Sequence, residues 1–502
     1  MVAVAAVVSV GIVLRFWTRS DLWLDEALSV NIADLGLGSM LEALRSDGHP
    51  PLYYLLLHGW MALFGTGDVA VRSLSGVISV ATLPLAGVAG RRYAGRAGAT
   101  AMLVLLASSP YAVRYGTEAR MYSLVMFLVL AGWLAVRRAS ERPTIGRLAL
   151  ISVVSGLLLL THYWSFYLLA SVALLLLFNG WRSGTGPVRE RALRIVGALA
   201  AGGILFLPWL PGFLAQASGT GTPWGVPARP GAVVHLALQD FGGGDYGEAV
   251  LLGYGLLGLA ILALFARPID RDRLEIDLRT RTEARPEWIV MGGTIALAVV
   301  AGYLSGSAFA PRYAATVFPL LLLLASLGTS ILPRPRIRRL VLCTLVTVGL
   351  VFSVRNVWVQ RTQAGQLAAA ITAGAAPGDL VAICPDQLGP AVSRLLPDDL
   401  PAVTFPSLTG PDRVDWVDYE ERMAAGDPAA FARALDQRAG AGAIYLVFSP
   451  GYRTLDRKCE RTAIELQQLR GAREDLVEGG LLFEKGWLSR FPPRPPAPAP
   501  PA

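Results

Sequence analysis

A succession of long apolar runs, separated by short polar loops, most constrains what this chain can fold into. A helix needs roughly 20 apolar residues to cross a bilayer, and about eleven runs approach that length. Because 53% of the 502 residues are hydrophobic and 16% are charged, a soluble protein of this length could not bury the apolar surface. We therefore expect a polytopic, all-α membrane protein. The candidate spans lie near residues 1–17, 67–89, 97–113, 121–136, 147–161, 164–179, 195–210, 249–266, 288–308, 314–332 and 340–357.

Arginine accounts for nearly all the positive charge, and it is concentrated in alternate loops between these runs. Cytoplasmic loops of membrane proteins carry such an excess of basic residues. The pattern therefore predicts a cytoplasmic N-terminus in the cell membrane, an extracytoplasmic segment after residue 358, and no nucleic-acid partner. The clusters are Arg91, Arg92 and Arg96; Arg137, Arg138, Arg142 and Arg147; Arg182, Arg189, Arg191 and Arg194; Arg267, Arg271, Arg273, Arg279, Arg281 and Arg285; and Arg334, Arg336, Arg338 and Arg339.

The C-terminal part of the sequence changes character. GDLVAICPDQL and AGAIYLVFSP are typical of short buried strands, and FARALDQRAG and CERTAIELQQLRGA have helical patterns. We expect a transmembrane core over residues 1–357 with a first outer loop at 18–66, a small extracytoplasmic α/β domain over 358–490, and a disordered proline-rich tail over 491–502. Cys384 and Cys459 both fall in this domain, and the sequence leaves open whether they are bonded.

The stretch LWLDEALSV places Asp25 and Glu26 at the outer end of the first span. Acidic residues at a membrane boundary are costly to bury and usually have a function. A catalytic carboxylate is one interpretation. A solvated helix cap or an interfacial salt bridge is the other.

Histidines and a rigid turn occur in the same set of outer loops. In RSDGHPPLYY two prolines restrict the backbone, which would hold Asp47 and His49 in defined positions. The alternative is an ordinary turn, with Tyr53 and Tyr54 as interface anchors. In THYWSFY, His162 lies at a turn between two apolar runs, where a structural, hydrogen-bonding histidine is the more common case.

Two arginines depart from the charge pattern because they lie on the outer side. Arg120 and Tyr122 occur in RYGTEARMYSL, and Arg312 and Tyr313 occur in SAFAPRYAATVFPLL, each at the mouth of a span. Pairing of Arg120 with Glu118 would explain the first arginine without any ligand. Guanidinium groups also suit phosphate. An acid pair, a His-Pro-Pro turn and two arginines in one compartment together indicate a carboxylate base and cations that hold a phosphate leaving group.

Five segments in this order resemble the bacterial branch of the protein O-mannosyltransferase superfamily, glycosyltransferase family 39. These are membrane glycosyltransferases with the C-type fold, and they are related to the lipid A aminoarabinose transferases. The resemblance covers roughly residues 15–330. It implies transfer of a sugar from a polyprenyl-phosphate carrier outside the cytoplasmic membrane. The segments are LWLDEALSV, DGHPPLYYLLLHGW, YGTEARMYSL, HYWSFYLL and APRYAATVFPLLLLL.

The resemblance also implies roles for individual residues. Asp25 matches the catalytic base, and Glu26 supports it. The segment that contains His49 matches one that shapes the acceptor or phosphate side of the family's site. Arg120 and Arg312 match arginines that contact the lipid-linked phosphate. Asp47, Tyr122, His162 and Tyr313 complete the predicted substrate site.

Several points stay open at the level of sequence. Some C-type transferases use a divalent metal, and Asp25, Glu26, Asp47 and His49 could supply ligands, but their spacing does not establish a site. The sugar, hexose or pentose, is undetermined, as is the acceptor, which could be glycan, lipid or protein. A transporter or flippase of lipid-linked precursors is the alternative function, and a non-catalytic envelope scaffold is a second one.

Overall fold

The apolar runs form helices, because a backbone in lipid must satisfy its hydrogen bonds within the segment. The computed structural model describes residues 2–222, 225, 229–244 and 247–494. Its helices are α1 (Val2–Leu14), α2 (Leu24–Ala33), α3 (Leu37–Arg45), α4 (Leu52–Phe64), α5 (Asp68–Ala107), α6 (Pro110–Gly116), α7 (Tyr122–Glu141), α8 (Ile145–Leu159), α9 (Trp164–Arg182), α10 (Pro187–Phe206), α11 (Leu210–Gly219), α12 (Pro230–Gly242), α13 (Ala249–Phe265), α14 (Arg285–Ser305), α15 (Phe318–Ile331), α16 (Pro335–Trp358), α17 (Ala364–Gly374), α18 (Gly389–Ser393), α19 (Tyr419–Ala425), α20 (Pro428–Ala439) and α21 (Lys458–Arg470).

Short 3₁₀ helices and seven strands complete the described secondary structure. The 3₁₀ helices are Leu207–Trp209, Pro311–Thr316, Asp386–Leu388 and Arg453–Leu455. The strands are β1 (Ala266–Pro268), β2 (Leu274–Ile276), β3 (Leu380–Cys384), β4 (Ala402–Thr404), β5 (Ile444–Phe448), β6 (Glu474–Val477) and β7 (Trp487–Phe491).

The chain divides into two compact units. The first, here called the membrane unit, contains the described residues within 1–18, 49–214 and 225–358. The second, here called the C-terminal unit, contains those within 19–48, 215–224 and 359–502. The segment 19–48 carries Asp25 and Glu26, so the structure groups this part of the first outer loop with the C-terminal residues rather than with the spans.

The described residues contain six helical segments that are long and apolar enough to cross a membrane. They are Asp68–Ala107, Tyr122–Glu141, Trp164–Arg182, Pro187–Gly219, Arg285–Ser305 and Pro335–Trp358. Shorter apolar helices are α1, α4, α8, α13 and α15. Each predicted run overlaps one of these helices, which confirms a polytopic α-helical fold. The runs 67–89 and 97–113 share α5, which breaks at Ala94 and at Gly95, where φ is +68°.

Helix α15 lies at the centre of the membrane unit and is buried along almost its whole length. It packs against α5 and α13. A Cβ atom on Gly328 would lie 1.9 Å from the carbonyl oxygen of Leu259, so this close approach to α13 requires glycine. Arg15, which follows α1, is also buried: its Nε donates to Ser79 Oγ at 2.8 Å and its Nη2 donates to the Leu106 carbonyl at 2.8 Å.

The C-terminal unit contains a five-stranded sheet in the order β4-β3-β5-β7-β6. Strand β3 pairs in parallel with β4 and β5, whereas β7 pairs antiparallel with β5 and β6. Strands β3 and β5 are buried at every position, as expected for strands covered on both faces. Both strands and the helices α20 and α21 coincide with the segments predicted from sequence. The disordered tail predicted over 491–502 starts too early, because Phe491 ends β7 and is buried; residues 495–502 lie outside the described residues.

Cys384, at the end of β3, and Cys459, in α21, form a disulfide with a Cα–Cα distance of 5.4 Å. This bond answers the question that the sequence leaves open. Both residues are fully buried in the core of the unit. Trp23 and Leu24, which immediately precede the acid pair, belong to the same hydrophobic core.

Candidate active site

Asp25 and Glu26 occupy the first turn of α2, where the positive end of the helix dipole favours carboxylates. Asp25 is half-buried and Glu26 is completely buried. The Glu26 carboxylate lies 4.0 Å from the guanidinium of Arg361, which is itself buried. An ion pair away from solvent therefore holds Glu26.

The start of α2 has no local side-chain cap, because the residue before the helix is Trp23. Glu484 supplies the missing acceptor: the backbone N–H of Leu24 donates to its Oε2 at 2.6 Å. The other oxygen, Oε1, accepts a hydrogen bond from Thr362 Oγ1 at 2.6 Å. Burial, together with the nearby charges of Asp25 and Glu26, raises the pKa of Glu484 to about 7.

Asp47 also belongs to the C-terminal unit, where it closes the turn after α3. Its backbone N–H donates to the Leu44 carbonyl at 3.1 Å, and its side chain is buried. Gly48 follows with φ of +86°, a conformation that favours glycine. The same Leu44 carbonyl accepts a hydrogen bond from Gln216 Nε2 at 2.5 Å. The prolines are therefore only part of what holds this turn.

In the membrane unit, Arg120 lies buried in the turn between α6 and α7. Its Nη2 is 2.9 Å from His49 Nε2, and its Nη1 is 3.4 Å from the hydroxyl of Tyr54. Because arginine only donates hydrogen bonds, His49 Nε2 is the acceptor in this contact. The Arg120 carbonyl accepts from Ser75 Oγ at 3.1 Å, which fixes the backbone as well.

His162 lies between Tyr122 and Tyr313, with ring centroids 5.9 Å and 5.2 Å apart. The backbone N–H of Trp164 donates to its Nδ1 at 3.1 Å, so the proton of a neutral His162 is on Nε2. The ring is buried and lies within electrostatic range of His49, Arg120 and Arg312.

Arg312 enters this group from the 3₁₀ helix that precedes α15. Its guanidinium carbon lies 5.8 Å from the centroid of the Tyr313 ring, and its carbonyl accepts from the Tyr111 hydroxyl at 3.0 Å. The membrane unit thus brings together the predicted substrate residues except Asp47: His49, Arg120, Tyr122, His162, Arg312 and Tyr313. The guanidinium groups of Arg120 and Arg312 lie beside His49 and His162, and His49 accepts a hydrogen bond from Arg120. Together these residues form a cationic site that suits an anionic group.

A second polar cluster in the membrane unit was not predicted. The Tyr115 hydroxyl donates to Asp240 at 2.8 Å, and Arg114 lies 3.7 Å from the same carboxylate. Arg114 Nε also donates to Glu118 at 3.3 Å, so Glu118 has a guanidinium partner other than Arg120. The one acidic residue in the apolar stretch PGAVVHLALQDFG was the available signal for Asp240. The sequence held no comparable signal for Arg361 or Glu484.

The described residues contain no group of three or more His, Cys, Asp or Glu side chains that could hold a metal ion. The candidate ligands Asp25, Glu26, Asp47 and His49 therefore do not form a metal site in this structure.

Residues 48–211, about a third of the chain, match the family described as dolichyl-phosphate-mannose-protein mannosyltransferase. Among curated protein sequences, none matches the chain. Similar solved structures include ArnT from Cupriavidus metallidurans bound to undecaprenyl phosphate, with a TM-score of 0.61, 13% identity and 97% coverage of both chains. The same ArnT in the apo state has a TM-score of 0.59 and 14% identity, again with 97% coverage of both chains. The chain has the fold of these transferases.

A third similar structure is the Archaeoglobus fulgidus oligosaccharyltransferase in complex with Zn and sulfate, with a TM-score of 0.51 and 10% identity, covering 88% of this chain and 67% of the other. These matches confirm the resemblance to C-type membrane glycosyltransferases that the sequence motifs indicate. Neither the family match nor the structural matches support the transporter alternative.

Proposed function

We propose that this chain transfers a sugar from a polyprenyl-phosphate donor to an acceptor hydroxyl at the extracytoplasmic face of the cell membrane. The observation that carries the proposal is a cationic site in a chain with a C-type transferase fold: buried Arg120 contacts half-buried His49, and half-buried Arg312 lies within electrostatic range of the buried His162 ring. One similar structure holds undecaprenyl phosphate, which is a lipid of the proposed donor class. The acceptor is a glycan, a lipid or a protein.

Asp25 is the proposed base. Its carboxylate takes the proton of the acceptor hydroxyl while the acceptor oxygen attacks the anomeric carbon of the sugar. The bond between that carbon and the phosphate oxygen breaks, and its electron pair leaves with the phosphate. The products are the glycosylated acceptor with inverted anomeric configuration, the polyprenyl phosphate and protonated Asp25. Glu26 stays paired with Arg361 throughout.

Arg120 and Arg312 are proposed to stabilise the departing phosphate. Guanidinium groups form strong, charge-assisted hydrogen bonds with phosphate oxygens, and groups oriented in advance do not have to reorganise as charge develops. The contacts of Arg120 with His49 and Tyr54 provide that orientation. Because polyprenyl phosphate is already a good leaving group, the step needs no separate protonating acid.

The proposed orientation places the C-terminal unit outside the cytoplasm. Two observations support it: the arginine clusters lie in alternate loops, and Cys384 and Cys459 form a disulfide. Disulfides persist in oxidising compartments outside the cytoplasm. The unit that carries Asp25 would then face the compartment in which the acceptor is found.

The testing experiment measures transfer of radiolabelled sugar from a panel of polyprenyl-phosphate donors, in membranes that contain the wild type or Asp25→Asn at equal amounts. We expect transfer from one donor class with the wild type, and a loss of about a thousandfold with Asp25→Asn, as for removal of a general base. Equal activity of the two proteins would exclude Asp25 as the base. No transfer from any donor by the folded wild type would contradict the proposed function.

A further inference from the structure

The helix that carries Asp25 and Glu26 begins without a capping side chain of its own. The first N–H groups of a helix lack partners within the helix, and an unpaired one is costly when buried. Leu24 is buried, and its N–H donates to Glu484, which is 460 positions away in the sequence. A residue of the C-terminal segment therefore does what an N-cap residue normally does.

Further contacts between the same segments of the C-terminal unit join the start of α2 to the 361–363 and 483–484 stretches. The Arg361 N–H donates to Ser20 Oγ at 2.9 Å, and the Arg361 guanidinium pairs with Glu26. The Glu484 N–H donates to the Arg361 carbonyl at 2.9 Å. The Phe483 ring meets the Trp23 ring edge-on at 5.2 Å. Contacts on both sides of Leu24 thus hold the acid pair.

A purely structural cap would not need a third acid here. Glu484 is buried beside Asp25 and Glu26, and like charges at such distances disfavour one another. Thr362 donates to the remaining oxygen of Glu484 and so fixes the orientation of the carboxylate. The Glu484 carboxylate is thus held in place despite its repulsion by Asp25 and Glu26. It fixes the position of the Leu24 N–H, which directly precedes Asp25.

We propose that Glu484, oriented by Thr362, is a positioning residue that sets the place of Asp25 for proton abstraction. This inference rests on the proposed function, and it gives the C-terminal unit a part in catalysis. Glu484 acts through the backbone of Leu24 and does not itself react. A displacement of a reacting group by about 1 Å can lower a rate about a hundredfold without any change in the binding of substrate.

The test compares Glu484→Ala, Glu484→Gln and Thr362→Val with the wild type in the sugar-transfer assay, with kcat and KM measured separately for the donor. We expect Glu484→Ala to lower kcat about a hundredfold with KM unchanged. Glu484→Gln should recover most of this loss, since its amide oxygen can accept from Leu24 and its Nε2 can donate to Thr362. Thr362→Val should lower kcat less than Glu484→Ala, again with KM unchanged.

Glu478→Gln is the matched control, because Glu478 is an exposed acid of the same unit. The amount of folded protein is measured for each variant by size-exclusion chromatography in detergent, and kcat is calculated per folded molecule. Wild-type kcat in Glu484→Ala, or a Glu484→Gln variant as slow as Glu484→Ala, would overturn the positioning role. The absence of transfer by the wild type itself would instead contradict the proposed function.

Discussion

The membrane unit and the C-terminal unit hold their predicted functional residues in opposite ways. In the membrane unit the groups are cations and rings: Arg120 contacts His49, and His162 lies between two tyrosines. In the C-terminal unit they are carboxylates, held by Arg361 and by the backbone N–H of Leu24. The comparison shows that the proposed anion site and the proposed base have different surroundings. A phosphate requires fixed positive donors, whereas a base requires an oriented carboxylate.

The largest expected effect is a loss of stability of the C-terminal unit when Arg361, the cation that faces Glu26, is replaced. Arg361→Met leaves Glu26 buried without the guanidinium that faces it. Breaking a buried ion pair in this way costs about 3–5 kcal/mol. We expect a lower midpoint of chemical unfolding for the full chain in detergent. Arg413→Met, at an exposed position of the same unit, is the control, and equal midpoints for the two variants would contradict the role of the pair.

In the membrane unit the corresponding change is Arg120→Ala, which should affect activity. Loss of a group that stabilises developing charge lowers kcat by about 10²–10³-fold. Arg120→Lys should restore little, because one ammonium cannot reproduce the fork that reaches His49 and Tyr54. The measurement is kcat for sugar transfer, with Arg96→Ala, an exposed arginine, as the control. Full activity of Arg120→Lys would show that charge alone matters there.

The disulfide between Cys384 and Cys459 lies in the C-terminal unit, so its removal should lower the stability of that unit and not that of the membrane unit. The double variant Cys384→Ser, Cys459→Ser should destabilise the C-terminal unit by about 2–4 kcal/mol, since the bond closes a long loop. Limited proteolysis of the full chain should then cut within 359–494 earlier than in the wild type, with the spans unaffected. Cys343→Ser changes an exposed, free cysteine and serves as the control. Unchanged proteolysis of the double variant would rule out a stabilising role.

The smallest expected effect is the pH dependence that comes from Glu484. Burial raises its pKa from the ordinary value of 4.5 to about 7, so the folded state binds this proton more tightly than the unfolded state. The contribution to stability is therefore present below pH 4.5 and is lost as the pH rises through 7. Burial also raises the pKa of Asp386, to about 6. Its contribution to stability is therefore lost in the same direction, as the pH rises through 6.

Glu484→Gln should flatten the decline in the free energy of unfolding between pH 4.5 and pH 7, measured by denaturant titration of the full chain. Glu478→Gln should leave the wild-type slope in place, since Glu478 is exposed. A slope in Glu484→Gln equal to that of the wild type would show that Glu484 does not carry this proton.

Local sequence was sufficient to predict the elements that follow from hydrophobic periodicity and the residues that belong to one short motif. The buried strands β3 and β5 and the helices α20 and α21 lie where their patterns predict them. The arginines at span mouths and the His-Pro-Pro turn were recognisable because each departs from the surrounding apolar pattern. The residues that these side chains contact could not be predicted from the sequence. The Arg120–His49 contact joins positions 71 apart, and the alternative pairing with Glu118 was equally open from sequence.

The sequence by itself determined that this chain crosses a membrane, has an α/β segment near its C-terminus, and carries an acid pair and two arginines apart from the basic clusters. Those properties follow from composition and from periods of a few residues, which act locally. Only the tertiary structure decided that Glu484 caps the helix of Asp25, that Arg361 faces Glu26, and that segment 19–48 packs with the C-terminal residues. Contacts between residues hundreds of positions apart depend on how the whole chain buries its polar groups, which no local pattern specifies.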